Sequence, residues 1–157
     1  MDNPHARKRR TARLAAVQAL YQMDVGGAGS KTVIREFTDY RFGFKEEGDV
    51  VVADEAFFED VVLGVVREQS HIDETISDHL SEKWSFDRLD LTLRALMRSA
   101  VYETIARPDV PALVILDEYV TLAVRFFDEK QAAFVNATLE KVARKVRTAE
   151  FGLTGAA

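Results

Sequence analysis

Along the middle of the chain, apolar residues recur every three or four positions: Phe58, Val61, Val62, Val65, Ile72, Ile76 and Leu80. That spacing gathers them on one helical face and does not match the two-residue alternation of a half-buried strand. It predicts one long helix from Asp54 to about Ser81. Asp54, Glu55, Glu59 and Asp60 stand at its start, where the helix dipole favours anions. Gly64 inside it marks the close approach of another helix.

Similar stripes predict the remaining elements. A first helix runs from about His5 to Asp24, with Arg10, Leu14, Val17 and Tyr21 on one side, and ends in the turn Val25-Gly26-Gly27-Ala28-Gly29-Ser30. A P-loop needs glycine directly before the lysine and a strand leading in. Here Ser30 precedes Lys31 and a helix leads in, so Ser30 or Thr32 is read as the cap of a short helix, Val33 to Phe42. Residues 43–54 read as an irregular loop in which Val50-Val51-Val52 is either extended or the approach to the next helix.

Ser85 or Asp87 is expected to cap a helix with Leu89, Leu93, Leu96, Met97 and Ala100 inward. After the stiff connector Arg107-Pro108-Asp109-Val110-Pro111, Pro111 suits the first turn of a helix with Leu113, Leu116, Val120, Ala123 and Phe127 inward. Asp128 or Glu129 opens a last helix with Val135, Leu139, Val142 and Val146 inward. Residues 152–157 read as a disordered tail.

All three prolines act as helix punctuation, and the class is all-α. At 157 residues the chain is one domain, or one domain of two small lobes, able to bury roughly 70% of its unfolded surface without staples. It has no cysteine, which excludes disulfides, thiolate metal sites and cysteine nucleophiles and fits a reducing cytoplasm. No apolar run approaches the roughly 20 residues needed to cross a bilayer. The cationic start continues into a charged, alanine-rich stretch that does not read as a signal peptide.

Charge is unevenly placed. Arg7, Lys8, Arg9, Arg10 and Arg13 give residues 1–13 a net +4, while the remainder carries −9. A positive start on an acidic chain argues for a localised anion-binding site. In the last predicted helix, Lys130, Phe134, Thr138, Lys141 and Lys145 share a face, and an aromatic ring among lysines suits stacking on an unpaired base. The alternative is a rim phenylalanine covered by lysine stems. His5, His71 and His79 form neither a metal site nor a catalytic triad with defensible spacing. The sequence therefore points to no enzyme and no cofactor.

Several motifs together resemble the NusB family of bacterial transcription antitermination factors: Arg13-Leu14-Ala15-Ala16-Val17-Gln18-Ala19-Leu20-Tyr21, Leu63-Gly64-Val65, Met97-Arg98-Ser99-Ala100-Val101-Tyr102-Glu103 followed by Asp109-Val110-Pro111, and Ala133-Phe134-Val135-Asn136. The resemblance implies an all-α fold of six to seven helices in two small packed lobes, about 5–82 and 83–150, within one domain over 1–157. It implies binding of single-stranded boxA RNA from ribosomal RNA leaders, jointly with the small-subunit ribosomal protein NusE, and association with elongating RNA polymerase and other Nus factors. The RNA-binding candidates are Arg7, Lys8, Arg9, Arg10, Arg13, Tyr21, Lys130, Phe134, Asn136 and Lys141. The partner-binding candidates are Tyr21, Glu82, Asp90 and Arg94.

Leu93 departs from the family, standing where members often carry an acidic residue that holds the ribosomal partner; Asp90, one turn earlier, is the substitute considered. Ala137 replaces a frequent glycine, and the 42–52 loop is longer than usual. The competing readings are a protein-binding helical module and a non-catalytic RNA-binding domain related to ribosomal RNA methyltransferases.

Overall fold

The computed structural model describes residues 3–43, 45–46 and 49–152. Among them are seven α-helices and one two-residue antiparallel ladder, Lys45–Glu46 with Asp49–Val50. The expected tail falls outside the described residues from 153 onward, as do Glu47 and Gly48 of the expected loop. The chain forms two compact units, Met1–Arg67 and Glu68–Ala157.

In the first unit, α1 (Pro4–Gly26) is capped by Asn3, whose side chain accepts the Ala6 N–H at 2.7 Å, with Pro4 at the first helical position. It ends at Gly27, whose φ of 73° suits glycine and whose N–H returns to the Met23 carbonyl. Its buried face is built mainly of small residues, Ala12, Ala15, Ala16 and Ala19, with Val17 and Leu20. The expected stripe of Arg10, Leu14, Val17 and Tyr21 is therefore not the packed one. Only Val17 of the four is buried, because the alanines admit closer packing against α3 (Glu55–Arg67). α2 (Ser30–Tyr40) starts at Ser30 with Gly29 as its cap, so neither Ser30 nor Thr32 caps it. Val33, Ile34 and Phe37 complete the core with Phe57, Phe58, Val61, Val62 and Val65, and Gly64 is buried as well.

The long helix expected over 54–81 is two. α3 ends at Arg67, and α4 (Gln69–His79) begins after Glu68. Residues 66 to 71 are all exposed, so two successive turns bury nothing that would hold one helix straight. α4 packs on α5 (Leu91–Ala106) and α7 (Glu129–Val146), so it belongs to the second unit.

α5 is the axis of that unit and is buried at nearly every position from Leu93 to Thr104. Its cap is Asp90, which accepts the N–H groups of Thr92 at 2.8 Å and Leu93 at 3.4 Å; Ser85 precedes, and Asp87 lies within, a separate 3-10 turn at Phe86–Arg88. Arg98 donates through two nitrogens to Asp73 of α4, at 2.8 and 2.9 Å. Deeper in, the Tyr119 hydroxyl of α6 (Ala112–Phe126) donates to the Glu103 carboxylate.

That bond accompanies a shift in the inward register of α6 to Ala112, Ile115, Tyr119, Leu122 and Ala123. Of the expected stripe only Ala123 is buried, and Leu113 is 68% exposed. Pro111 precedes the helix as its cap. α7 is capped by Asp128, which accepts the Gln131 N–H at 2.8 Å. It buries Val135, Leu139 and Val142 as expected, while Val146 is exposed.

Arg147 closes the unit by donating to the carbonyls of Thr104 at 2.8 Å, Arg107 at 2.8 Å and Val110 at 3.0 Å, at the end of α5 and in its connector, where the Arg107 carbonyl also accepts the Val110 N–H at 3.0 Å.

Candidate nucleic-acid interface

The five cations at the start of α1 diverge. Arg7 and Lys8 are exposed. Arg9 is half-buried, with Nε 3.4 Å from Asp54 Oδ2 and its guanidinium 4.6 Å from the centre of the Phe57 ring. Arg13, one turn on, lies 5.0 Å from the same ring and is 3% exposed. Arg10 is half-buried. Of the five, Arg7 and Lys8 thus stand in water. Arg9 and Arg13 turn onto Phe57, whose π face attracts a guanidinium and whose flat ring shields its stem. Tyr21, near the other end of α1, is 41% exposed.

In the second unit, Lys130, Asn136, Lys141 and Lys145 on α7 are exposed. Thr138, expected on the same face, is buried at 3%. Phe134 is half-buried and stacks on Trp84, with ring centroids 4.2 Å apart and planes 27° apart. The Phe134–Trp84 pairing is absent from the sequence reading. The available signal was an isolated tryptophan in a segment that breaks the helical pattern.

The partner-surface candidates also resolve. Glu82 is exposed, and Asp90 is exposed while serving as the α5 cap. Arg94 is half-buried and donates to the Leu89 carbonyl at 3.0 Å and the Asp87 carbonyl at 2.7 Å, fastening the segment before α5. Leu93 is buried at 1% and belongs to the core. His71 is exposed, and His79 places Nδ1 2.7 Å from the Thr75 carbonyl. No described helix is long and apolar enough to cross a membrane.

The motifs quoted from α5 do structural work. Arg98 and Glu103 are the buried charged groups that join α5 to α4 and α6. Arg7 and Lys8 at the start of α1 and Lys130, Lys141 and Lys145 on α7 are among the exposed cations of the described residues.

Comparison with known proteins places these features in a family. The sequence profile of the NusB family matches residues 10–144. The transcription antitermination protein NusB of Maricaulis maris is 48% identical over 147 residues, covering 93% of this chain and 92% of that protein. Among solved structures, the NusB of T. maritima superposes with a TM-score of 0.73 at 29% identity, covering 98% of this chain and 100% of that one. A chain from a complex of the antitermination factors NusB and NusE with dsRNA superposes with a TM-score of 0.70 at 27% identity, covering 88% and 97%. A profile match over most of the length, near-half identity to a curated relative and a shared all-α fold together make this chain a member of the NusB family.

Proposed function

We propose that the chain is an RNA-binding transcription antitermination factor that holds boxA-type single-stranded RNA of ribosomal RNA leaders together with NusE and modulates the elongating RNA polymerase. The observation that carries this is the exposed Arg7–Lys8 start of α1 on an otherwise acidic chain, in a family with a solved complex that joins NusB and NusE with dsRNA. Arg7 and Lys8 neutralise phosphates at the front of the site. Arg9, Arg10 and Arg13 set the local potential, while Arg9 holds the start of α1 on Phe57 and Asp54 and Arg13 holds it on Phe57. Tyr21, Lys130, Phe134, Asn136 and Lys141 supply further RNA contacts. Tyr21 in the first unit and Glu82, Asp90 and Arg94 in the second are the residues that contact NusE. The protein works in the cytoplasm as one domain built of its two units, without catalysis and without a cofactor.

The test is a titration of labelled boxA-like and scrambled single-stranded RNA, with and without purified NusE. The expected result is weak binding by this chain alone, tighter binding with NusE and a preference for the boxA-like strand. Equal affinity for both strands, unaffected by NusE, would overturn the reading.

A further inference from the structure

Between α4 and α5, residues 80–90 form no α-helix. Their main-chain hydrogen bonds are local: the Leu80 N–H donates to the Ser77 carbonyl at 3.3 Å, Trp84 to Ser81 at 3.0 Å and Leu89 to Phe86 at 3.1 Å. Turns of that kind shape the segment without attaching it to its neighbours, so side chains must attach it.

The two halves are attached differently. The second is held by α5. Arg94 donates to the carbonyls of Leu89 at 3.0 Å and Asp87 at 2.7 Å. The Arg94 and Arg98 guanidiniums lie 5.5 and 5.3 Å from the centre of the Phe86 ring, and Leu89 is buried. In the first half, Ser81, Glu82 and Lys83 are exposed. Its attachment is Trp84, stacked on Phe134 of α7.

Stacking restricts Phe134 in turn. A phenylalanine on a helix surface has a few staggered rotamers open to it. Trp84 covers one face of the ring and so selects among them, leaving Phe134 half-exposed. A ring already held spares an incoming base the cost of ordering it. How firmly it is held depends on the segment that carries Trp84. Glu82 lies two residues before Trp84, Asp90 caps α5 at the end of the segment, and Arg94 fastens its second half. Three of the groups read above as contacts for NusE are therefore on this segment or hold it.

We propose that Trp84 is a positioning residue through which NusE, docked on the 80–90 segment, holds Phe134 in the orientation that an unpaired base meets. The proposal rests on the RNA- and NusE-binding reading above and adds a route by which one partner strengthens the binding of the other. By linkage, RNA must strengthen NusE binding through this route by the same factor.

The experiment uses the full chain, purified NusE and labelled boxA-type RNA. RNA affinity is measured with and without NusE for the wild type, Trp84→Leu, Trp84→Phe, Phe134→Ala and the Trp84→Leu/Phe134→Ala double variant. NusE affinity is measured with and without RNA. Urea midpoints show that each variant is folded under the assay conditions. Trp84 is the only tryptophan, so chain labelled with fluorotryptophan gives one fluorine resonance that reports on this ring.

The expected result is that NusE, before any RNA is added, moves that resonance. The gain in RNA affinity on adding NusE should fall by about threefold to tenfold in Trp84→Leu, the range expected from the ordering of one side chain. The gain in NusE affinity on adding RNA should fall equally. Trp84→Phe, which keeps a stacking ring, should restore most of both. Adding Trp84→Leu to Phe134→Ala should lower the gain no further, because Trp84 acts through that ring.

An undiminished gain in folded Trp84→Leu would overturn the proposal. So would an RNA affinity lowered equally with and without NusE, which marks a merely structural role or a direct RNA contact. A gain as low in Trp84→Phe as in Trp84→Leu would assign the effect to the indole N–H and overturn the stacking route. Failure of the wild type to bind RNA, or to gain from NusE, would remove the underlying reading as well. If Trp84→Leu does not fold, the fluorine resonance and Phe134→Ala decide: a resonance unmoved by NusE, with the full gain kept in Phe134→Ala, would overturn the proposal.

Discussion

Trp84 and Phe134 lie face to face, 4.2 Å apart at their ring centres, and both are half-buried. Each ring thus covers part of the other, and the pair fastens the segment before α5 to α7. Phe134 is neither a core residue nor a bare surface ring. A base arriving at this face meets a two-ring stack with Lys130 and Lys141 also exposed on α7.

Phe134→Ala should therefore cost about 1–2 kcal/mol of stability, well below the roughly 3–5 kcal/mol of a fully buried phenylalanine. Trp84 is the only tryptophan, so its emission reports the change directly and should move to the red in the variant. RNA binding to the wild type should quench the same emission. Urea denaturation followed by fluorescence reads all three. A core-sized loss of stability, or a tryptophan spectrum indifferent to both the substitution and RNA, would contradict the stacked geometry as a binding platform.

The divergence of the five N-terminal cations separates two kinds of arginine effect. Replacing Arg7 and Lys8 together by alanine should leave stability nearly unchanged. It should flatten the log–log salt dependence of RNA affinity by about 1.4, at roughly 0.7 per phosphate contact for single strands. Arg13→Ala should do the reverse, costing about 1–2 kcal/mol of stability through the lost Phe57 contact and the packing of its stem. It should change the salt slope little. A salt slope that responds to Arg13 and ignores Arg7 and Lys8 would place the phosphates elsewhere.

Why part of this was legible in the sequence, and part was not, is clearest at α6. Its opening run, Ala112-Leu113-Val114-Ile115-Leu116, is apolar at every position, so periodicity admits more than one inward register. A partner 16 residues away sets the observed one, since burying Tyr119 brings its hydroxyl to Glu103. Long-range pairing of that kind leaves no periodic trace. α7 was readable because Asn136, Thr138, Glu140 and Lys141 stand between Val135, Leu139 and Val142 and leave a single inward face.

The division of α3 from α4 was written in the apolar gap between Val65 and Ile72, yet helix formers bridge that gap and mask the break. At the site, residue type identified the cations. Phe57 decides which of them face water, and it is more than forty residues further along the chain.

Tyr119→Phe tests the buried contact that accompanies this register. The substitution preserves the ring and removes one charge-assisted hydrogen bond from a carboxylate with no exposed surface. The expected cost is about 1.5–3 kcal/mol. Adding Glu103→Gln should then cost less than it does in the wild type, because the two groups share one interaction. Strict additivity in the urea-derived stabilities would mean that the bond contributes nothing to the fold.

Glu150 gives the fold a defined acid limb. Its carboxylate accepts the Ala112 N–H at 2.8 Å and pairs with Arg147 Nη1 at 2.6 Å. Those contacts, the Ala112 N–H foremost and then Arg147, hold its pKa below the ordinary 4.5. The unfolded chain therefore binds a proton here at a higher pH than the folded one. In that window stability rises with pH: the contribution is complete above the unfolded value and is lost as pH falls through the folded value. Glu150→Gln removes the titration while keeping an oxygen for Ala112. Its stability should resemble the wild type's most closely at low pH, fall behind as pH rises through the folded value toward about 4.5, and stay behind by a constant amount above it. Urea midpoints of both proteins across the acid range measure this. A constant difference between them at every pH would show that Glu150 does not titrate differently in the two states, and that the Arg147 pair is too solvated to count.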